Sequence, residues 1–349
     1  MKTFKFSLVA LVATVLFAAC SNEVAVETIK GGGQEISFRL QGGTPEITTR
    51  SLATTLANVD AFAVYGTDDV LYGPGTLGLA GNIFNGITVA RQVGGGFDYN
   101  PKKYYSDGVG DAEFFAYSPV SAIANITNID ATELYTEASF DYEVVVPDIS
   151  GNTTQEDLLV AGISVGTIGA GQVSLDFTHA LSRIFVKATN TLSDNVVITG
   201  LTLKNLCSTG TITGTPTGTP DDPWGWAWAN QNDTLDYSYI LAPTGVAVQA
   251  NVTAPTLVTS MEQGMMVLPQ ATVNSLPLAD FNAGDFALEV TYNVANLTGQ
   301  IAHVLLPNAF PFEANTQYAI TITFSGSSLI EISFTIDVLP FDDDSTYPL

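Results

Sequence analysis

The stretch LIEISFTIDVL, residues 329–339, alternates apolar and polar side chains without a break. A period of two predicts a β-strand with one buried face, and about ten residues is long for a strand, for which about five or six is usual. Two interpretations stand open: an ordinary strand with a wet outer face, or a strand that completes a neighbouring molecule's sheet by β-augmentation. The apolar face carries Ile330, Ile332, Phe334, Ile336 and Val338.

Shorter runs of β-branched and aromatic residues precede this strand, and Gly, Asn, Asp and Pro separate them. They predict strands, whereas the only helical signals are a segment at residues 131–137 and a turn near Ser121. Many strands without intervening helices predict an all-β protein of two antiparallel sandwiches or barrels. The predicted strands before the terminal one span residues 61–65, 87–93, 112–117, 140–146, 158–161, 172–177, 184–188, 196–203, 209–213, 265–268, 286–293, 301–305 and 318–324.

Charge excludes whole classes of partner. The formal net charge is −24, and no Lys or Arg follows Lys204. Such a surface repels phosphate backbones and anionic membranes, so we expect no nucleic-acid binding and no electrostatic membrane binding. The same lack of bases leaves trypsin-like proteases no site after Lys204, which fits either a soluble exported protein or selection for protease resistance.

The amino terminus predicts export and lipidation. Lys2 and Lys5 precede an apolar run at residues 6–17, and Ala18 and Ala19 place small residues before Cys20. This pattern is typical of a lipoprotein signal peptide at residues 1–19, with an ordinary secretory peptide as the alternative. If Cys20 is acylated, Cys207 has no partner, so we expect no intrachain disulfide.

Residues 20–50 predict a tether followed by a short strand. Residues 21–34 are polar and end in three glycines, as suits a tether. Ile36, Phe38 and Leu40 then alternate with polar residues, which predicts a strand with one buried face. Gly and Pro interrupt residues 41–49, so we expect Arg50 to lie in an exposed loop.

No constellation of residues predicts catalysis or metal binding. The two histidines, His179 and His303, have no Cys or His neighbour at a metal-ligand spacing, so each is interpreted as a hydrogen-bonded structural residue. No nucleophile elbow and no phosphate-binding glycine loop occurs. We therefore expect no enzyme activity, no cofactor and no metal. The acidic runs 221–222 and 342–344 are read as solvated turns, with calcium ligation as the alternative.

Three tryptophans form a second candidate site. In WGWAW, residues 224–228, an extended backbone points Trp224, Trp226 and Trp228 to one side. An exposed row of indoles would stack on sugars, whereas a buried row would be part of the core. Burial is the favoured interpretation.

The two ends of the chain carry similar strands. Residues 36–40 read ISFRL, and residues 332–336 read ISFTI. Removal of the first segment would vacate a groove for Ile, Phe and Leu, and the second segment presents matching side chains at the same two-residue spacing.

With these features the chain resembles the fimbrillin-like proteins of Bacteroidetes, which are subunits of protease-assembled (type V) pili. The resemblance covers essentially the whole chain. The motifs that carry it, besides the signal peptide and ISFRL, are TTR at 48–50, FFAYSP at 114–119, QEDLLVA at 155–161, LDFTHALSRIFVKA at 175–188, MMVLPQ at 265–270 and YAITITF at 318–324.

The resemblance implies two transthyretin-like β-sandwich domains, at residues 51–182 and 183–349. It also implies lipidation of Cys20, which would hold the precursor in the outer membrane, and cleavage between Arg50 and Ser51 by an arginine-specific protease. Loss of the strand with Ile36, Phe38 and Leu40 would then open a groove. A strand of the next fimbrial subunit would fill that groove in an extracellular fimbrium, and residues 330–338 match the donor.

Two other roles compete with this expectation. Anchor subunits of such pili keep their lipid and tip subunits need not donate a strand, so the chain could be a lipid-anchored module that binds glycans or proteins without polymerising. Trp224, Trp226 and Trp228 would serve that role if exposed. An enzyme is the third alternative, and a convergent polar site would be needed to support it.

Overall fold

A computed structural model describes most of the chain after residue 32, and the described residues belong to one compact unit, Gly33–Leu349. The predictions for residues 1–32, Arg50, Ser51, Ile330 and residues 342–344 lie outside the described part. The described residues are 33–41, 59–68, 82–106, 110–146, 155–166, 171–219, 221–259, 264–272, 281–282, 284–326 and 331–341.

Among the described residues, regular structure consists of β-strands and one short 3₁₀ helix, which confirms the all-β prediction. The elements of the first half, in chain order, are β1 (Phe38–Leu40), β2 (Ala61–Asp68), β3 (Phe84–Arg91), β4 (Phe97–Asp98), β5 (Ala112–Ser118), a 3₁₀ helix (Val120–Asn125), β6 (Ile126–Asp130), β7 (Ala138–Glu143), β8 (Leu159–Val165), β9 (Val173–Leu175) and β10 (Thr178–His179). Six of these strands form one antiparallel sheet in the order β10-β8-β5-β2-β3-β4.

Two larger sheets dominate the second half. Its strands are β11 (Ser182–Asn190), β12 (Val196–Thr215), β13 (Gly225–Tyr239), β14 (Val246–Val248), β15 (Val252–Leu257), β16 (Met265–Val267), β17 (Gln270–Ala271), β18 (Ala287–Val294), β19 (Leu297–Leu305), β20 (Pro311–Phe312), β21 (Thr316–Ser325) and β22 (Glu331–Pro340). One sheet runs β15-β11-β21-β22, with β16 also on β11. The other runs β19-β18-β12-β7-β6, with β13 and β14 also on β12, and β17 pairs with β20.

Strand β12 connects the two halves. Its first part pairs with β18, whereas residues 209–214 pair with β7, which lies before residue 183 in the chain. Strands from both sides of the predicted boundary at 182/183 thus share one sheet, and the two-domain division stays a prediction. The sequence predicts two strands here, at residues 196–203 and 209–213. In the structure they form one strand that continues through a β-bulge: the register shifts between Leu203 and Leu206, and Asn205 has a φ of 57°.

Apolar clusters lie between these layers. Every residue of β5 is buried, because the six-stranded sheet is covered on both faces. One face packs against β1 and β9, with Phe38 in the cluster, and the other packs against β7 and the end of β12, with Phe140 and Ile212. The third cluster fills the space between the five-stranded and seven-stranded sheets, so this part is a sandwich.

Three local features differ from what the sequence alone indicates. The helix at residues 131–137 is wrong: Glu133 accepts hydrogen bonds from the amides of Thr136 and Glu137, which makes a single turn, and β7 begins at Ala138. Two strand pairs depart from the antiparallel pattern, because β1 pairs with β9, and β11 with β21, in parallel. The polar segment after Trp228 continues as β13, which the sequence does not predict. Across the described residues, no helix has the length and apolarity to cross a membrane.

Candidate functional site

The segment around β1 is bonded along both of its edges. On one edge, residues 103–105 run antiparallel to it: the Ile36 amide donates to the Lys103 carbonyl at 3.0 Å, and the Tyr105 amide donates to the Gln34 carbonyl at 3.1 Å. Gly33 allows this approach, because a Cβ there would lie 2.3 Å from the Tyr105 carbonyl oxygen.

The opposite edge of the same segment pairs with β9. The Val173 amide donates to the Ser37 carbonyl, and the Gln41 amide donates to the Leu175 carbonyl, both at 2.7 Å. The register is parallel, with Phe38 opposite Val173. Successive backbone groups of a strand point to alternate sides, so Gln34 and Ile36 bond to residues 103–105 on one edge, and residues 37–41 pair with β9 on the other edge. We call the space between those two walls the β1 groove.

Phe38 fills the floor of the β1 groove. Its side chain is 1 % exposed and belongs to the core cluster on that face of the six-stranded sheet. Four aromatic rings surround it in edge-to-face geometry, an arrangement that adds to the stabilisation from area burial. The ring centroids lie 5.9 Å from Phe62, 5.3 Å from Phe84, 6.0 Å from Tyr99 and 5.6 Å from Phe114.

Two further side chains point into the groove beside Phe38. Ile36 is 1 % exposed, and Leu40 is half-buried against the same cluster. The Tyr99 hydroxyl donates to the Ile36 carbonyl at 2.5 Å, and burial raises the pKa of Tyr99, so the hydroxyl keeps its proton. The predicted alternation of Ile36, Phe38 and Leu40 with polar residues therefore matches one inward face.

Three charged side chains form ion pairs at the rim of the groove. Lys102 Nζ contacts Glu35 Oε1 at 2.7 Å and Asp98 Oδ1 at 2.5 Å, and all three side chains are largely exposed. Exposed ion pairs contribute little to stability. Arg39 points outward, and its backbone pairs with Ser174. Apolar packing and backbone hydrogen bonds therefore hold β1 in place.

The terminal strand, the second part of the candidate site, lies at the edge of the five-stranded sheet. All ten residues of β22 pair antiparallel with β21, from Glu331 opposite Ser325 to Pro340 opposite Thr316. Ile332, Phe334 and Ile336 pack partly buried against the sandwich core, whereas Val338 is 57 % exposed. The predicted strand is confirmed, and in this structure it stays within its own chain.

The tryptophan row faces the protein interior. Trp224 is 4 % exposed, and Trp226 and Trp228 are half-buried against the core cluster that includes Phe140. Glycines on the neighbouring strands make room for two of the rings. A Cβ at Gly162 would lie 2.4 Å from a ring carbon of Trp224, and a Cβ at Gly214 would lie 2.4 Å from a ring carbon of Trp226. The three indoles therefore do not form an exposed row for stacking on sugars.

We expect acrylamide to quench the fluorescence of the folded protein several-fold less than that of the urea-unfolded chain, because a buried indole cannot be reached by the quencher. Trp228 adds a fixed contact, since its Nε1 donates to the Ala180 carbonyl at 2.7 Å. Stern–Volmer titrations of the two states measure this difference. Equal quenching would contradict the burial of the row.

Both histidines are hydrogen-bonded, as predicted. His179 Nδ1 lies 3.0 Å from Asp157 Oδ1, with both residues buried, and His303 Nε2 lies 3.0 Å from Glu289 Oε2. Among the described residues, no group of three or more His, Cys, Asp or Glu is arranged to hold a metal ion. Asp221 and Asp222 are exposed, as the solvated-turn interpretation requires.

The sequence predicts a strand at residues 172–177, where β9 forms one wall of the groove, but it does not predict the other wall, residues 103–105. Residues 99–106, YNPKKYYS, lie outside the predicted strands, yet they supply Tyr99, Lys103 and Tyr105 to the groove. The signal that distinguishes them is the concentration of three tyrosines within seven residues, because a loop rich in aromatic residues usually packs onto something.

Comparison with known proteins agrees with this architecture. The model of the fimbrillin-like family matches residues 49–337. A fimbrial protein from Bacteroides vulgatus is similar in structure at a TM-score of 0.58 and 16 % identity, over 88 % of this chain and 99 % of that one. The "putative cell adhesion protein" of Bacteroides uniformis aligns at a TM-score of 0.46 and 15 % identity, over 87 % and 97 %.

No curated protein shows significant similarity to this chain. The family model nevertheless covers most of the 349 residues, including both large sheets of the second half and the six-stranded sheet of the first. This chain belongs to the fimbrillin-like family.

Proposed function

We propose that the protein is a structural fimbrial subunit, exported as a lipoprotein on Cys20 and assembled by strand exchange after cleavage following Arg50. One observation carries the proposal. The β1 segment has hydrogen bonds on both edges, to residues 103–105 through Gln34 and Ile36 and to β9 through residues 37–41, and Phe38 lies inside an aromatic cluster. Its loss would leave two open edges and an apolar groove, and an added strand can satisfy both.

The distribution of arginines supports cleavage at Arg50. The chain has four arginines, and the other three lie in paired strands: Arg39 in β1, Arg91 in β3 and Arg183 in β11. A protease must bind an accessible backbone segment. Arg39 has an exposed side chain, but its backbone pairs with β9, so backbone pairing protects it.

The terminal strand is the proposed donor. ISFTI at residues 332–336 repeats the spacing of ISFRL at residues 36–40. In that register Ile332, Phe334 and Ile336 would take the positions of Ile36, Phe38 and Leu40, and the donor would run parallel to β9 of the acceptor. Phe334 is the side chain that fits the aromatic floor of the β1 groove.

Donation requires β22 to leave its own sheet. As an edge strand it has one partner, β21, so its release breaks one ladder and leaves the remainder of the sheet paired. Its apolar side chains are only partly buried, so exchange into a more enclosed groove on a neighbouring subunit would increase their burial.

This function is structural and not catalytic. The partners are other fimbrial subunits and an arginine-specific protease, and the outer membrane is a partner only while the lipid on Cys20 is attached. Membership of the fimbrillin-like family supports a surface location in a fimbrium that serves cell adhesion.

The proposal is tested by treating the purified full-length precursor with an arginine-specific protease. We expect one large fragment that begins at Ser51, followed by multimers. Arg50→Ala should be neither cut nor assembled, whereas the control Arg39→Ala should behave as the wild type, because Arg39 is protected by pairing. Amino-terminal sequencing and size-exclusion chromatography give the two readouts. Assembly of Arg50→Ala at the wild-type rate would refute the proposal.

A further inference from the structure

The residue after β22 is buried more deeply than the strand itself. Phe341 is 2 % exposed, whereas Ile332, Phe334 and Ile336 are only partly buried. Moreover, Phe341 belongs to the cluster on the six-stranded sheet, together with Phe140, and not to the sandwich core that β22 covers. The end of the terminal strand is thus fixed to the half of the molecule that holds the β1 groove.

Phe341 contacts two basic side chains, His179 and Arg183. Its ring stacks on His179, with centroids 3.8 Å apart and planes at 17°, and the Arg183 guanidinium carbon lies 5.8 Å from its centroid. His179 is itself held by buried Asp157, with Nδ1 2.9 Å from Oδ2. Arginine–aromatic and stacked contacts of this kind stabilise a buried ring beyond its area burial.

A short path joins this contact to the β1 groove. Only residues 176–177 separate β9, which forms one wall of the groove, from β10, which contains His179. Phe177 is buried against Phe62 at 5.5 Å, and Phe62 contacts Phe38 at 5.9 Å. Among the described strands, β9 pairs only with β1. His179 itself lies on β10, which pairs with β8. Loss of β1 would therefore remove the strand partner of β9, the segment that leads directly into β10.

We propose that Phe341 is a latch that holds the terminal strand on β21, and that the hold weakens when β1 no longer fills its groove. The inference rests on the proposed function, in which β22 is donated. It adds an order of events: a precursor with β1 in place keeps its donor strand docked, and removal of β1 frees the donor as it opens the acceptor. Premature pairing between precursors is thereby disfavoured.

Native-state hydrogen exchange on the uncleaved full-length chain tests the latch. We expect Phe341→Ala to raise exchange of residues 331–340 by at least about tenfold, because the best-buried anchor of the segment is lost. The control Val338→Ala, on the same strand at an exposed position, should leave it unchanged within about twofold. Phe341→Leu, which keeps most of the apolar volume, serves if the alanine variant fails to fold. Wild-type exchange in both Phe341 variants would overturn the latch.

The coupling is tested by a double-mutant cycle with Phe38→Ala, which weakens the docking of β1. We expect Phe38→Ala to raise exchange of residues 331–340 several-fold in the wild-type background and by less than about twofold in the Phe341→Ala background. Equal increases in the two backgrounds, or none in either, would overturn the coupling. Because no cleavage or assembly is involved, these results are separate from the outcome for Arg50→Ala.

Discussion

Replacement of Phe38 by alanine should destabilise the uncleaved protein by about 3–5 kcal/mol. The side chain is almost fully buried, and its ring contacts Phe62, Phe84, Tyr99 and Phe114. The alanine variant loses these contacts and leaves a cavity that a well-packed aromatic cluster fills only partly. The loss concerns the first half of the molecule, where β1 joins residues 103–105 to β9.

Urea unfolding of the uncleaved chain measures this effect. The matched control is Arg39→Ala, the next residue on the same strand, whose side chain is exposed; it should change the free energy of unfolding by less than about 0.5 kcal/mol. If Phe38→Ala and Arg39→Ala unfolded at the same midpoint, Phe38 would not be the anchor of β1, and the argument for an apolar acceptor groove would lose its main support.

Replacement of Glu113 by glutamine should stabilise the protein above pH 7 by about 1–3 kcal/mol. Glu113 lies on β5 and is 6 % exposed, and burial raises its pKa to about 7, although the hydrogen bond from the Ser164 hydroxyl at 2.8 Å opposes the rise. The unfolded carboxyl titrates near pH 4.3. Between these values the native state keeps a proton that the unfolded state has released, so stability falls as the pH rises.

Thermal unfolding at a series of pH values measures the difference. Glutamine has no proton to lose and keeps an acceptor for Ser164, so wild type and Glu113→Gln should unfold at similar temperatures at pH 4. Their unfolding temperatures should diverge as the pH rises from about 4 to about 7, and the difference should level off above pH 7. Glu143→Gln is the control, because Glu143 is exposed at the end of β7. A constant difference between wild type and Glu113→Gln at all pH values would contradict a buried carboxyl that titrates in this range.

The alternating runs made much of the fold predictable. Strands β5, β8, β11, β18 and β21 coincide with runs of branched and aromatic residues, and the period of two in residues 331–337 matches the burial of β22. In the candidate site, the same alternation predicts that Ile36, Phe38 and Leu40 point inward. The alternation of apolar and polar residues along a strand reflects which face of the strand is buried, so this feature of the fold can be predicted from the sequence alone.

The remaining features depend on contacts between distant parts of the chain. Leu134 follows Ala131 at a helical spacing, and both are buried, yet the next strand begins at Ala138 and allows only one turn. The parallel pairing of β1 with β9 joins residues about 135 apart in the chain, and no local signal specifies such a register. The same holds for Phe341, whose partners His179 and Arg183 lie far back in the sequence.

Strand β12 connects the two halves of the protein, and its length also bears on how the protein would resist a mechanical pull. It runs for 20 residues, pairing with β18 near its start and with β7 near its end, while β13 follows it along much of its length. A pull directed along such a strand loads many hydrogen bonds at once in shear, whereas a pull across it would open them one by one. In a fibre of these subunits, tension that enters one half would reach the other through a continuous backbone and not through a flexible linker.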